Sequence, residues 1–552
     1  MHKILICIMG ICLFCLTQIA CAAEYFIATN GNDNNPGTID SPFRTFQKGL
    51  QTVQNGDNLS IRAGTYRLLE ESANSIHFNR PNATENNFVT IQSYNGEKVK
   101  ILGSLSTEGK AWEQYNTDIY RIAADYLPKN PAGMFNGEER IDHVMKWVDG
   151  NRSHADVSDL VSPGTWTKAD ASGIGCGSIN DGCYIYLYPF ENEDPNAQTY
   201  ELSQRKLFHA QGTSYLTIKG LEFAYTQDSA LTIEGGRGQI IENNIFSHNS
   251  YSNDNSYSIF ITYSGGVVVR GNVVFDSRYW GGTPNSKGIT FMNMNPADPS
   301  IVEDNELYDI IGQGVCTKGG ASNIIVRRNY IHDTGVAIEP DEYRCHWTNP
   351  NCAPGDPEYY PGGGWKIYEN ILVNNNFGVD FYGESSNNIV HNNVFYKNTG
   401  AGITVDYGIS GTRIANNVFL ENARGIYLNA GSGGEMRAVE DFLPQFASDN
   451  NLFYQNTNDY FLRPNWAGPS GYGTGYTLEQ VKSNYSRELE SISGNPLFQN
   501  VSALDFHIDP ISPARNAGDG SFYNAASVDI GIYPNASSDY EPPAAPNGLR
   551  AA

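Results

Sequence analysis

Three carboxylates and a lysine recur at matching places in a short repeated phrase of this 552-residue chain. The phrase opens with glycine: Gly-Ile289-Thr-Phe-Met292, Gly-Val315-Cys-Thr-Lys318, Gly-Val336-Ala-Ile-Glu339, Gly-Val379-Asp-Phe-Tyr382, Gly-Ile403-Thr-Val-Asp406 and Gly-Ile426-Tyr-Leu-Asn429. Its period-two alternation is that of a strand with one buried face. The first and third residues after glycine face the core. The second and fourth form outward columns: Thr290, Cys316, Ala337, Asp380, Thr404 and Tyr427, then Met292, Lys318, Glu339, Tyr382, Asp406 and Asn429. With strands about 4.8 Å apart and alternate residues about 6.7 Å apart, the diagonal pairs Glu339–Asp380 and Asp380–Asp406 are expected with backbones about 8 Å apart.

Such a cluster supports two chemistries. Two carboxylates flanking a glycosidic bond can hydrolyse it, inverting when about 6.5–9.5 Å apart. Alternatively, Lys318 can serve as base in an elimination from a uronic-acid sugar, with a cation stabilising the enolate-like intermediate. Glu339, Asp380 and Asp406 supply the oxygen ligands for Ca²⁺ in that case. Arg278 and Trp280 precede the cluster, and Trp347 and Tyr382 follow within it. These four are predicted to line the groove and bind substrate, because aromatic rims suit the apolar faces of sugar rings. Asp380 is the strongest single candidate, since aspartate is disfavoured in mid-strand.

A second phrase explains how those strands are stacked. Ile241-Glu-Asn-Asn244-Ile-Phe, Val269-Arg-Gly-Asn272-Val-Val, Val302-Glu-Asp-Asn305-Glu-Leu and Val326-Arg-Arg-Asn329-Tyr-Ile lead to Asn370, Asn393, Asn417 and Asn451 in like settings. The spacing is 23 or 24 residues where no insertion intervenes. Three short strands per turn of that length make a parallel β-helix, whose rungs stack as solenoid repeats. The recurrent Asn fits a left-handed turn position and an amide ladder from rung to rung. Its role is structural.

The division expected is 24–104 for an N-terminal cap and first rungs, 105–205 for an inserted β-rich subdomain, and 206–535 for the main coil. Residues 536–552 form a Pro-rich tail. Phe43, Phe46, Leu50 and Val53 have helical spacing and suit a cap helix. Lys3, the apolar run Ile4–Leu16 and Cys21-Ala22-Ala23 read as a cleaved export signal over 1–23. A secreted or periplasmic location follows. In that oxidising setting Cys176 with Cys183, and Cys345 with Cys352, are plausible local disulfides. Cys316 is left over and reads as inert. A net charge of −24 argues against nucleic acid as partner, and no other segment is long and apolar enough to span a membrane. The chain is expected to act as a monomer on a polysaccharide.

The two ends carry a family likeness. Tyr25-Phe-Ile-Ala-Thr-Asn-Gly-Asn-Asp33, Ser41-Pro-Phe43, Gly56-Asp57 and Arg62-Ala-Gly-Thr-Tyr66 open the mature chain. Ser512-Pro-Ala514, Asn516-Ala-Gly518 and Asp529-Ile-Gly531 close it. Together they resemble secreted right-handed parallel β-helix proteins, including family-nine polysaccharide lyases. The inserted segment, with Pro163-Gly-Thr-Trp166 before Tyr184-Ile-Tyr-Leu-Tyr188, looks more like β-helix glycoside hydrolases. The lyase resemblance implies polysaccharide cleavage by calcium-assisted β-elimination with a lysine base. Glycoside hydrolysis, and a non-catalytic glycan-binding module, are the alternatives.

Overall fold

In the computed structural model, the described residues are 22–68, 76–80, 82–127, 131–148, 151–177, 182–190, 193–204, 206–249, 256–278, 286–340, 362–381, 385–406, 408–430, 437–464 and 473–534. Residues 1–21 of the expected export signal, the expected Cys345–Cys352 pair, Trp280, Trp347, Tyr382 and the Pro-rich tail lie outside them.

The chain winds as a right-handed parallel β-helix with three faces. The first is a twelve-stranded sheet running from Glu24–Ile27 to Phe446–Asp449. The second includes Glu222–Ala224, Ile245–Ser247, Val273–Ser277, Ile371–Val373, Val394–Tyr396 and Val418–Leu420. The third, the groove face, includes Leu231–Glu234, Ser256–Thr262, Ser286–Met292, Phe377–Phe381, Ala401–Asp406 and Arg424–Asn429. Strands Glu306–Thr317 and Tyr330–Glu339 run continuously around the corner between the second and third faces. The interior is apolar throughout, with stacks such as Phe395, Phe419 and Phe453 at centroid spacings of 5.0 and 4.9 Å.

The Asn phrase forms the expected ladder. The Nδ2 of Asn272 donates to Asn305 Oδ1 at 3.0 Å, Asn305 to Asn329 at 2.9 Å, and Asn370 to Asn393 at 3.0 Å. The left-handed residue, however, is the one before it: Asn243, Asp304, Arg328, Glu369, Asn392, Asn416 and Asn450 have φ between 53 and 59°. The ladder Asn is required for its amide, which satisfies buried backbone and its neighbour's oxygen together. A second ladder joins Asn375, Asn398, Asn422 and Asn456 at the next corner.

Both ends are covered. Phe46–Thr52 is helical, N-capped by Thr45 Oγ1 accepting from Lys48 N at 3.1 Å, and buries Phe46 and Leu50. Helix Leu478–Tyr485, with a Thr477/Gln480 capping box, buries Leu478 and Val481 at the other end. After Ser493 the chain folds back over the second face. There Phe506, Ile508, Ile530 and Ile532 pack with Ile371, Val394 and Val418.

Between Ser104 and Ser203 an eight-stranded, mostly antiparallel sheet forms a subdomain with its own core around Trp112, Trp166 and Tyr200. Cys176 and Cys183 are disulfide-bonded within it. It docks on the second face through a buried histidine. His248 Nδ1 lies 2.5 Å from Asp276 Oδ2, and its Nε2 2.7 Å from Glu138 Oε2 of the subdomain. Lys100 Nζ lies 3.1 Å from Glu138 Oε1, and Tyr225 OH donates to Gly137 O at 2.7 Å. Burial opposes charge on His248, but its two carboxylate partners outweigh that and push its pKa up to about 9. Glu138 is drawn down to about 2, mainly by His248, and Asp276 is held well below the usual range despite burial.

Candidate active site on the groove face

The groove face is built from registered outward columns. One runs Phe260, Thr290, Cys316, Glu339, then Asp380, Thr404, Tyr427 and Phe461. Asp380 lies between the fully buried Val379 and Phe381, so its side chain is directed outward. Asp406, Asn429 and Arg463 lie in the neighbouring column.

The expected diagonal of Glu339 and Asp380 is corrected by this register. Val315 pairs with Ile338 and Cys316 with Glu339, after a register shift between Ile310 and Gln313. Ile338 pairs in turn with Val379. Glu339 therefore stands directly above Asp380 in one column, about 4.8 Å away at the backbone. Lys318 is in the column beside Glu339 rather than above it. The cause is the corner. Cβ atoms at Gly288, Gly314, Gly378, Gly402 and Gly425 would point inward onto backbone or core side chains: at Gly378, 2.5 Å from Phe395 Cδ1. On the Glu339 rung this small inward position belongs to Ala337, fully buried in the core, and not to Gly335. Aligning the phrases on glycine shifted that rung by two residues and put Ala337 in an outward column.

Two groups that the sequence pattern missed complete the floor. Lys287 and Gln313 immediately precede corner glycines and are paired across neighbouring strands. Gln313 Nε2 donates to Glu339 Oε2 at 3.3 Å. Their position just before each corner glycine is the sequence signal that marks them. Arg278 is not part of the group: it pairs with Asp276 Oδ1 at 2.9 Å and with Asp309 beside the subdomain junction. Cys316 is buried outside any disulfide, 3.3 Å from Thr290 Oγ1.

The electrostatics favour proton-holding carboxylates. Burial pushes Glu339 up, against the opposing pull of Gln313, Lys287 and Lys318. Burial also pushes Asp406 up to about 6, opposed by the 2.7 Å hydrogen bond from Asn429 and reinforced by the charge of Glu339. Around them, Gln313 Oε1, Thr404 Oγ1 and Asn429 Oδ1 are buried without a hydrogen-bond partner among the described residues. Such atoms are costly to leave unpaired and suit a hydroxylated ligand.

The donor set is a poor match for calcium. A hard divalent cation needs several ionised oxygen ligands, whereas burial raises the proton affinity of Glu339 and Asp406, and Lys287 and Lys318 already supply positive charge to Glu339. Among the described residues no group of three or more His, Cys, Asp or Glu is disposed to hold a metal ion.

Fold and face together define a right-handed parallel β-helix protein with an acid-rich groove, and comparison with known proteins agrees on the class. Residues 25–147 match the family described as Pel9A-like, right handed beta helix region, and residues 201–352 and 302–458 match the right handed beta helix region. The fold is that of right-handed parallel β-helix proteins. The uncharacterized protein YwoF of Bacillus subtilis (strain 168) is 22% identical over 509 residues, covering 89% of this chain and 92% of that protein. A solved glycoside hydrolase is 12% identical with a TM-score of 0.52, covering 79% of this chain and 96% of its own. Pectate lyase Pel9A is 13% identical with a TM-score of 0.47, covering 94% and 98%. Among the described residues, no helix is long and apolar enough to cross a membrane.

Proposed function

We propose that this chain is an exported enzyme that hydrolyses a polysaccharide in the groove on its third face. The observation carrying the reading is the registered stack of Glu339 and Asp380 with Asp406 on the following rung, two of the three held toward protonation. Asp406, at about 6, is suited to protonate the glycosidic oxygen as general acid. Asp380, in the neighbouring column of the same face, takes the role of base in this reading. Its backbone is diagonal to that of Asp406, about 8 Å away, which suits an intervening water and inversion. Glu339 keeps the charge balance between Lys287 and the acids. Thr404 Oγ1 and Asn429 Oδ1, buried without a hydrogen-bond partner among the described residues, are the acceptors assigned to sugar hydroxyls.

The test is a panel of purified polysaccharides. New reducing ends without the ultraviolet absorbance of an unsaturated sugar, lost in Asp380→Asn and Asp406→Asn and indifferent to chelator, support hydrolysis. Unsaturated products abolished by Lys318→Ala would overturn it in favour of β-elimination, the second reading, which the nearness of Lys287 and Lys318 to Glu339 favours. In that case Ca²⁺ sensitivity would also decide whether Glu339, Asp380 and Asp406 hold the ion. Binding with neither product would leave a glycan-binding module.

A further inference from the structure

The subdomain carries a groove of its own, away from the junction with the coil. Three turns wall it: 115–119 between two strands, the single-turn helix Val157–Asp159, and 170–174. The cavity is about 700 Å³, within the size range of small-ligand sites. The walls are fixed by side chains bonded to backbone. Asn116 Oδ1 accepts from Asp118 N and Ile119 N at 2.9 and 2.8 Å, and Asp170 Oδ1 accepts from Ser172 N and Ile174 N at 2.8 and 3.0 Å. Val157 N donates to Gly173 O at 2.8 Å and ties two of the walls together.

Tyr115 lies across this space. Its ring makes an edge contact with Tyr186 at 5.0 Å, and Arg121 sits 5.7 Å from its centroid. Its hydroxyl lies over Gly173, where a Cβ would come within 3.1 Å of it. The ring is thus set in place, with 37% of the residue exposed, and Ile174 opposite is 59% exposed. The lining also carries Thr117, Asp118, Asp156, Ser158 and Ser172, with hydroxyls and carboxylates, beside apolar Val157 and Leu160.

We infer that this groove is a second binding site, for a neutral glycan. An exposed, pre-set aromatic ring beside an exposed aliphatic side chain offers the apolar platform that a sugar ring covers. Hydroxyls and carboxylates around it accept and donate to sugar hydroxyls. The carboxylates of Asp118 and Asp156 in the lining disfavour anionic glycans and phosphates. The inference is independent of the cleavage chemistry proposed above, because the groove shares no residue with the third face. A polymer held here would raise its effective concentration near the coil, as linked sites do.

The test uses the full mature chain in gels carrying soluble glucan, xylan, mannan, galactan or arabinan, with Asp380→Asn as background to prevent digestion. Retarded migration with at least one neutral polymer is expected, and Tyr115→Ala should weaken its dissociation constant by at least about tenfold. Tyr115→Phe, which keeps the ring, should retain binding with an unchanged melting temperature and so separates binding from folding. Migration unaffected by every neutral polymer, retardation only by anionic ones, or retardation insensitive to Tyr115→Ala and Ile174→Asp would overturn the assignment. Loss of hydrolysis in the unaltered chain, with retardation intact, would sink the proposed reaction and leave this site standing.

Discussion

Glu339 and Asp406 on the groove face, and Glu138 and Asp276 at the subdomain junction, are carboxylates whose proton affinities move in opposite directions. At the junction, one imidazole is hydrogen-bonded by both acids, and Arg278 and Lys100 add further positive charge. In the groove, burial dominates, the charge of Glu339 acts on Asp406, and the amides of Gln313 and Asn429 hydrogen-bond the two acids. Burial alone therefore assigns no role. A paired acid makes a joint, and an incompletely compensated acid makes a reagent.

The largest expected effect that would break this contrast is on catalysis. Asp380→Asn and Asp406→Asn should each lower product formation by about 10²–10⁴-fold in a reducing-end assay, leaving the melting temperature unchanged or higher. If both variants retain full activity, the groove acids are structural and the contrast disappears. Next is His248→Ala. Removing one member of a buried ion cluster costs about 3–5 kcal/mol, and the low end is expected because Glu138 remains half exposed. Chemical denaturation should show the loss, with little change in the groove's pH profile.

The pH dependences sharpen the comparison further. The His248 pKa rises from 6.5 to about 9 on folding, so its contribution is complete below pH 6.5 and is lost as pH rises through about 9. Glu138 falls from 4.5 to about 2, so its contribution is present above pH 4.5 and fades as pH drops through about 2. Melting curves across pH should therefore show the junction strongest near pH 5–6.5. Hydrolysis should instead decline above about pH 6 as Asp406 loses its proton. A smaller effect has the opposite sign. Asp406→Asn should raise stability at pH 8 by no more than about 1–2 kcal/mol, because the cost of ionising a buried acid is removed. Least of all, breaking the exposed Lys397–Glu421 pair should shift stability by under about 0.5 kcal/mol.

What the sequence displayed depended on how local the signal was. The Asn ladder was legible because each rung repeats the same residue in the same setting, and its amide has one satisfying arrangement. The left-handed position was misplaced by one residue, since Asp304, Arg328 and Glu369 carry no common chemical mark. The outward direction of Asp380 was legible from Val379 and Phe381 on either side. The register of Glu339 was not, because Ala337 fills the small corner position that glycine fills on the neighbouring rungs. The His248–Glu138 contact joins residues 110 apart across an insertion, and no periodicity reports it.

The row of side-chain-free corners has a consequence for how such a groove can change. Because the backbone there is packed directly against the interior, bulk added at Gly314 or Gly402 would act from behind the sheet and pry neighbouring turns of the coil apart. The separation of the reacting acids is thereby gauged from the inside of the cylinder. Alterations to the rim can retune which sugar is accepted while the tooling beneath keeps its pitch.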